Sequence, residues 1–378
     1  MTSFENCMII DVVAISLFIT YSLVIIYFTY CWHTVPFFEI PRHFPLVRFS
    51  IIVPARNEEE NIAKLLEAIS KQDYPISHYE IIVVDDESED RTAEVARKFQ
   101  SVKVIEKNFV ETNAHKKKAI EMGIASASGD FIVTTDADCI PGPGWLSSLA
   151  ACIDKTSAVC IAAPVSIQNN SSVVQLFQAS DFMVLQGVTA AAVHHSLLSM
   201  GNGANLAFKK EIFYEVGGYT GIDSIASGDD MLLLHKIRKR YKNGIAFLKS
   251  DVAIMATSAV KTWRAFFEQR IRWASKALYY DDKRITLVLS LVYLFNCSFL
   301  MLLVAGFFEW EHWIVMLVLV ILKTLIELPF FISLSRFFDK KSSVYFFPFF
   351  QPMHIGYTII SGLFSQFGKY EWKGRRVK

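Results

Sequence analysis

Two apolar stretches of the sequence end on paired carboxylates. The run IIVVDDESED leaves its apolar part at Asp85 and Asp86, and FIVTTDADC leaves at Asp136 and Asp138. Side chains two residues apart on a strand point the same way, so the Asp136 and Asp138 carboxylates are expected to face together. Hard oxygen donors in that arrangement suit Mg²⁺ or Mn²⁺ bridging a diphosphate. A DxD triplet arises by chance about once in a chain of this length, and a solvated turn explains an isolated one. Its place after a buried β-run, with a second acidic strand end upstream, favours the metal-binding reading.

Further on, GDDMLLLHKI sets Asp229 and Asp230 ahead of Leu233, Leu234 and Ile237, the apolar face of a helix that Ser227 is suited to cap. A carboxylate in that first turn can take a proton from a hydroxyl within hydrogen-bond reach. The plainer alternative is a pair that merely complements the helix dipole. From Lys261 to Tyr279, Trp263, Phe266, Phe267, Ile271, Ala274 and Leu278 recur at helical spacing among Arg264, Arg270, Arg272 and Lys276. That pattern is a basic amphipathic helix suited to a lipid headgroup layer. Within it Gln269 and Trp273 are one turn apart, which places a phosphate-clamping arginine, Arg272, beside an aromatic face that can stack on a sugar. A helix with an interfacial role alone is the alternative. His194-His195 has no partnered spacing and reads as ordinary helix surface.

The elements that must position these groups follow from periodicity. Strands are expected at Ser50–Pro54, Glu80–Val84, Val102–Ile105 and Asp130–Thr135. Between them lie a helix with Ile62, Leu65, Leu66 and Ile69 on one face and Glu58–Glu60 in its first turn, a helix near Asp90–Phe99, and a helix over Asn113–Ala127. This alternation predicts an α/β domain with a mostly parallel sheet covered by helices. Ligands in such sheets bind outside the carboxyl ends of the strands, where the acidic pairs stand.

The chain of 378 residues is 52% hydrophobic and 20% charged, an apolar excess that needs a location. Residues 8–30, uncharged but for Asp11, form a run long enough to cross a bilayer. They carry no basic leader or small-residue cleavage site, so a retained anchor is expected. Further spans are expected at 285–308 and 313–334, and a proline-broken aromatic segment covers 344–367. The segment 344–367 either crosses, dips in and returns at Pro348 and Pro352, or lies at the interface. Lys323 and Glu327 are ionisable inside a span, and their i, i+4 spacing predicts mutual pairing. Arg42, Arg48, Lys283 and Arg284 flank the middle segment, so the positive-inside rule puts 42–284 in the cytoplasm of a multi-pass inner-membrane protein. Net charge is +1, with 38 Lys+Arg against 37 Asp+Glu, which argues against nucleic acid as a partner. The six cysteines show no CxxC spacing and read as buried or lipid-facing thiols.

Together SIIVPARNEEENI, VVDDESEDRT, the DAD followed by Pro141, GNGANLAF with GGY, GDDMLL and QRIRW resemble, in order, the membrane-bound family 2 glycosyltransferases. That family is related to cellulose, hyaluronan and poly-N-acetylglucosamine synthases and to ceramide glucosyltransferases. The resemblance covers about residues 48–280. It implies an α/β GT-A (nucleotide-diphospho-sugar transferase) domain, here over 42–260, inserted between transmembrane helices, with an interfacial QxxRW helix over 261–280. It further implies a nucleotide-sugar donor, a UDP-sugar foremost, a divalent metal (Mg²⁺ or Mn²⁺), and inverting transfer to a hydroxyl.

The resemblance carries over residue by residue. The loop with Pro54, Ala55, Asn57 and Glu58 would lie against base and ribose, and Asp86, with Asp85, would hydrogen-bond the base. Lys116 matches the lysine of a GK segment near the nucleotide. Asp136 would contact ribose or diphosphate, Asp138 would bind the metal, and Asp230 would be the general base. Gln269, Arg272 and Trp273 match QxxRW, which borders the donor diphosphate and the acceptor sugar. This chain has His115 where the family usually has glycine, Glu121 where asparagine is common, and Gly228-Asp229 for the usual Thr-Glu. The expected function is transfer of a sugar to a lipid, lipid-linked or other glycan acceptor at the cytoplasmic face of the membrane. The alternatives are a processive polysaccharide synthase, for which the expected spans are few, and a non-catalytic nucleotide-sugar binder. A nucleotidyltransferase would have no use for Asp230 or QxxRW.

Overall fold

The computed structural model describes all residues except 1–2, 107–113, 169–171, 198–199, 224, 226–227, 277–281, 366–369, 373–374 and 378, and leaves the side chains of 1–8 and 366–378 aside. In chain order the elements begin with α1 (Ser3–Thr34), β1 (Phe49–Ala55), α2 (Ile62–Ser70), β2 (Tyr79–Asp85), α3 (Thr92–Arg97), β3 (Val102–Glu106) and α4 (His115–Ala125). Next come β4 (Phe131–Thr134), β5 (Cys139–Ile140), α5 (Trp145–Thr156), β6 (Cys160–Ala162), β7 (Val165–Gln168), α6 (Val173–His194) and β8 (Leu206–Lys209). The chain continues through α7 (Lys210–Glu215), α8 (Asp229–Arg240), β9 (Ile245–Phe247), β10 (Met255–Ser258) and α9 (Trp263–Ala274). It ends with α10 (Lys283–Ala305), α11 (Glu311–Phe337), α12 (Ser343–Ser365), β11 (Tyr370–Trp372) and β12 (Arg375–Val377).

Two compact units result. One comprises Val35–Asn170, Thr189–Ala259 and Lys369–Lys378, and the other Met1–Thr34, Ser171–Val188 and Val260–Gly368. The first is built on a seven-stranded sheet of order β3-β2-β1-β4-β8-β6-β9. Its β3, β2, β1 and β4 are parallel, as the sequence led one to expect. Beyond them β8 runs antiparallel to both β4 and β6, while β6 and β9 are again parallel, so the sheet is mixed but mostly parallel, as expected. A smaller sheet of order β5-β10-β7 accompanies it. Ile51, Ile52, Val53, Ile81, Ile82, Val83, Val84, Ile132 and Val133 are buried along neighbouring strands, the continuous apolar pattern of strands covered on both faces. Helix α2 buries Ile62, Leu65, Leu66 and Ile69 as its spacing predicts. Glu58–Glu60 lie ahead of it, because the helix starts only at Ile62 after Asn61.

In the second unit, α1 (from Ile9), α10 and α11 are long and apolar enough to cross a membrane and are largely unburied along their apolar lengths. Helix α6 also qualifies by length and composition, but most of it is buried inside the protein. Helix α12 is continuous through Pro348 and Pro352 rather than broken there. A core of Ala14, Tyr21, Phe295, Phe299, Leu302 and Leu319 joins α1, α10 and α11. Lys323 pairs with Glu327 at 2.7 Å, as expected. Gln351 accepts from Lys323 (2.5 Å) and donates to Glu327 (2.7 Å), while the Tyr21 hydroxyl donates to the same carboxylate. Asp11 is held by His312 at 2.8 Å. The described cysteines 31, 139, 152, 160 and 297 are free thiols.

Candidate active site

The first acidic strand end lies where β1 and β2 finish side by side, Ala55 opposite Asp85. Both chains turn sharply there, with Asn57 and Glu87 at φ of 52° and 58°. The two loops are knitted together. Buried Arg56 donates to the carbonyls of Asp86 (2.8 Å) and Glu87 (2.7 Å), and Glu89 N–H donates to Asn57 Oδ1 (2.8 Å). Glu58 N–H donates to Thr92 Oγ1 (2.7 Å). Asp85 turns back on its own loop and accepts from Ser88 N–H at 3.2 Å. Asp86 instead meets the start of α4, its Oδ1 3.6 Å from His115 Nδ1. Asp86, Glu87 and His115 each offer one ligand atom within 4.8 Å of the others. Half-buried Pro54 and buried Ala55 line the β1 side of the same end.

The next residue of α4 serves the second acidic strand end. Lys116 Nζ lies 2.7 Å from Asp136 and 3.3 Å from Asp229. Burial alone would lower the Lys116 pKa, but Asp136, Asp229 and, further off, Asp230 outweigh it and hold the ammonium well above its ordinary value. Asp136 and Asp138 sit in the turn between β4 and β5, not on a strand. The two-residue alternation expected of them therefore does not apply, because extended backbone stops at Thr134. Asp138 Oδ2 accepts from the Thr257 hydroxyl in a long contact of 3.4 Å. Burial and then the Asp136 and Asp138 charges push the Cys139 thiol well up.

Helix α8 brings the last acids. Asp229 and Asp230 are in its first turn as expected. The cap is Gly228, at φ 79°, a conformation that glycine adopts without strain; Ser227 lies outside the described residues. Asp230 Oδ2 accepts from Gly203 N–H at 3.0 Å. Gly203 precedes β8, whose Leu206 pairs with Thr134 at the end of β4, so the Gly203 turn closes over the strand end that Asp136 leaves. A Cβ on Gly203 would lie 3.0 Å from Asp229 Oδ2, 3.6 Å from Asp230 Cβ and 3.7 Å from Lys116 Nζ. Buried Asn205 secures this turn, accepting from Trp145 Nε1 and donating to the carbonyls of Pro164 and Ala253, each at 2.9 Å. Asp136, Lys116, Asp229 and Asp230 thus converge at one end of the sheet. The convergence through Gly203 and Lys116 was not readable from spacing, although GNG marks the tight turn.

Gln269, Arg272 and Trp273 belong to α9 in the second unit, and the structure gives each a place within that unit. Gln269 Oε1 accepts from Gln178 Nε2 at 2.9 Å. Trp273 lies 5.8 Å from Phe182, ring to ring, and carries the Arg270 guanidinium over its face at 4.4 Å. Arg272 is half-buried. Arg270 corrects the amphipathic reading: it is not a headgroup-facing cation but is 4% exposed and paired with Asp181 of α6 at 2.6 Å. Leu278 and Tyr279 lie outside the described residues.

The sheet, with acidic residues at the carboxyl ends of its strands, defines a GT-A fold. It is shared with the mannosyltransferase PcManGT from Pyrobaculum calidifontis in complex with GDP-Man and Mn2+ (TM-score 0.55, 19% identity, 91% of this chain and 99% of that one). Residues 50–217 match the model of glycosyl transferase family 2, and the chain carries a domain of that family. Its curated relatives include the glycosyltransferase AglE of Haloferax volcanii, 29% identical over 48% of this chain and 58% of that protein. Another is a dolichyl N-acetyl-alpha-D-glucosaminyl phosphate 3-beta-D-2,3-diacetamido-2,3-dideoxy-beta-D-glucuronosyltransferase of Methanococcus voltae, 38% identical over 26% of this chain and 32% of that one. The chain thus spans under three fifths of the length of these relatives.

Proposed function

We propose that this protein is an inverting glycosyltransferase. It moves a sugar from a nucleoside-diphospho-sugar to a hydroxyl of a lipid or lipid-linked acceptor at the cytoplasmic face of the inner membrane. The observation that carries this reading is that Lys116 bridges Asp136 to Asp229 at the carboxyl end of the sheet, with Asp230 next to Asp229 and held by Gly203 N–H. Inverting transfer is a single displacement, in which the acceptor oxygen attacks the anomeric carbon as the diphosphate departs. A neutral hydroxyl is a poor nucleophile, so Asp230, fixed on α8 by Gly203 N–H, takes its proton. Asp229 holds Lys116, and Lys116 holds Asp136, so the base stands in a fixed relation to the residue assigned to the ribose or diphosphate. Asp86, beside Pro54, Ala55, Asn57 and Glu58, receives the base, with Asp85 holding the turn. Gln269, Arg272 and Trp273 are assigned to the diphosphate and acceptor sugar.

Asp138, with Asp136 one residue removed, offers the hard carboxylate oxygens that suit Mg²⁺ or Mn²⁺, and the complex of PcManGT with GDP-Man and Mn2+ supports that choice. When bound, the ion would neutralise charge on the departing diphosphate. The lipid-linked acceptor is supported by apolar helices at both ends of the chain and by the dolichyl-phosphate relative. A UDP-sugar is our preferred donor.

Membranes carrying the protein, incubated with labelled UDP-glucose, UDP-N-acetylglucosamine and GDP-mannose, test this reading. Label in the lipid extract is expected, whereas label in polymer alone would establish a synthase instead. Engineered thiols within 42–260 should resist labelling from outside intact cells, and their modification would reverse the assigned face.

A further inference from the structure

Helix α6 was invisible as a functional element in the sequence, yet successive positions of it grip the QxxRW helix. Phe177 packs on Trp263 and Phe266 with ring centroids 5.9 and 5.5 Å apart. The Gln178 carboxamide works at both ends, donating to Gln269 Oε1 and accepting from the N–H of Val260, both at 2.9 Å. Asp181, one turn on, accepts from Arg270 at 2.6 Å and from the Tyr357 hydroxyl of α12 at 2.5 Å. Phe182 meets Trp273. Gln178 is fully buried, Asp181 and Arg270 nearly so.

We propose that Gln178 and Asp181 are positioning residues for the QxxRW motif, Gln178 fixing the Gln269 side chain and Asp181 fixing the Trp273 ring through Arg270. The inference rests on the glycosyltransferase reading and on the role assigned there to Gln269 and Trp273. A buried carboxylate and guanidinium are poor stabilisers compared with apolar residues of the same volume, so stability gives little reason for this pair. Orientation does. The Asp181 carboxylate holds one edge of the guanidinium, and the guanidinium plane lies over both Phe266 (4.8 Å) and Trp273 (4.4 Å). Turning the arginine turns the surface against which Trp273 rests. Gln178 sets the opposite end of the motif, since Gln269 and Trp273 lie one turn apart on α9. Misplacing a substrate-contacting group by about 1 Å can lower turnover about 10²-fold.

The test uses the full-length protein purified in lipid nanodiscs, with the same three nucleotide sugars. Binding of UDP and GDP is measured separately by calorimetry. Asp181→Asn should lower kcat by about 10- to 100-fold, with the donor KM and nucleoside-diphosphate affinity within about threefold of wild type. Asp181→Asn/Arg270→Gln should turn over no more slowly than Asp181→Asn alone, because both act through one contact. Tyr357→Phe and Gln178→Met, which remove polar contacts without burying a charge, are further probes should Asp181→Asn not accumulate; each should lower kcat while leaving nucleotide binding intact. Unchanged kcat in these variants, or loss of UDP and GDP binding in proportion to kcat, overturns the positioning role. A wild type that transfers none of the three sugars overturns the functional reading on which it rests.

Discussion

Charged groups gather in two places in this molecule, and they are handled differently. At the carboxyl end of the sheet, Asp136, Lys116, Asp229 and Asp230 form an open chain, with the Asp136 and Lys116 side chains 37% and 22% exposed. Among the apolar helices, Lys323 of α11 is fully buried, and Glu327, Gln351 and Tyr21 close around it. The first set leaves carboxylate oxygens available to a solute. The second directs its polar atoms at one another. Ionisable groups among apolar helices invite a functional reading by default, and closure of the network instead marks this one as a device for holding α1, α11 and α12 together.

The contrast can be broken by experiment. Chelation with EDTA should abolish transfer and added Mg²⁺ or Mn²⁺ restore it, while Asp138→Ala stays inactive in either metal. Full activity in chelator would remove the metal from the reading. Asp230→Asn should then reduce kcat by about 10²- to 10⁴-fold with UDP binding kept. Asp229→Asn should be milder, since a helical neighbour points about 100° away. The reverse ranking in steady-state kinetics would move the base by one residue.

Within the helical unit the expected losses are of stability. Lys323→Met leaves Glu327 buried without its cation and should destabilise by about 3–5 kcal/mol, read as a fall in thermal midpoint. The double variant Lys323→Met/Glu327→Leu should be more stable than the single one and keep its transfer activity. A double variant that is folded but inactive would give the network a catalytic role after all.

The smallest effect concerns Lys116→Met, which should cost about 1–2 kcal/mol because the site is partly solvated. Its pH dependence has a definite sign. The folded pKa lies above the ordinary 10.5, so the ammonium's contribution is complete below that value and is lost only as pH rises beyond it. The stability difference between wild type and variant should therefore be flat from about pH 6 to 10. A difference that shrinks between pH 7 and 9 would mean that Lys116 is not held by its acids.

Much of this was legible in the sequence wherever the cause is local. Apolar runs gave β1, β2 and β4, and i, i+4 spacing gave the Lys323–Glu327 pair. Asp85, Asp86, Asp229 and Asp230 stand at the element ends expected for them. What escaped depends on distant partners. The antiparallel strand β8 is four residues long and defined only by its neighbours β4 and β6. Arg270 lies in a pattern that periodicity reads as a basic surface, and only Asp181, 89 positions earlier, takes it inside. Helix α6 does not stand out in the sequence because Gln178 and Asp181 interrupt its apolar run, and their partners lie on α9.

That helix also constrains how the protein is made. Its partners Arg270 and Tyr357 lie 89 and 176 positions downstream of Asp181. At about 5–20 residues per second, α6 leaves the ribosome several seconds before either exists. Throughout that interval its 22 residues are a stretch long and apolar enough to be mistaken for a membrane crossing. Were it inserted as one, every later helix would enter the bilayer with the opposite orientation. The buried polar residues on its length disfavour that error at translation, so one stretch of α6 both deters misinsertion early and receives α9 late.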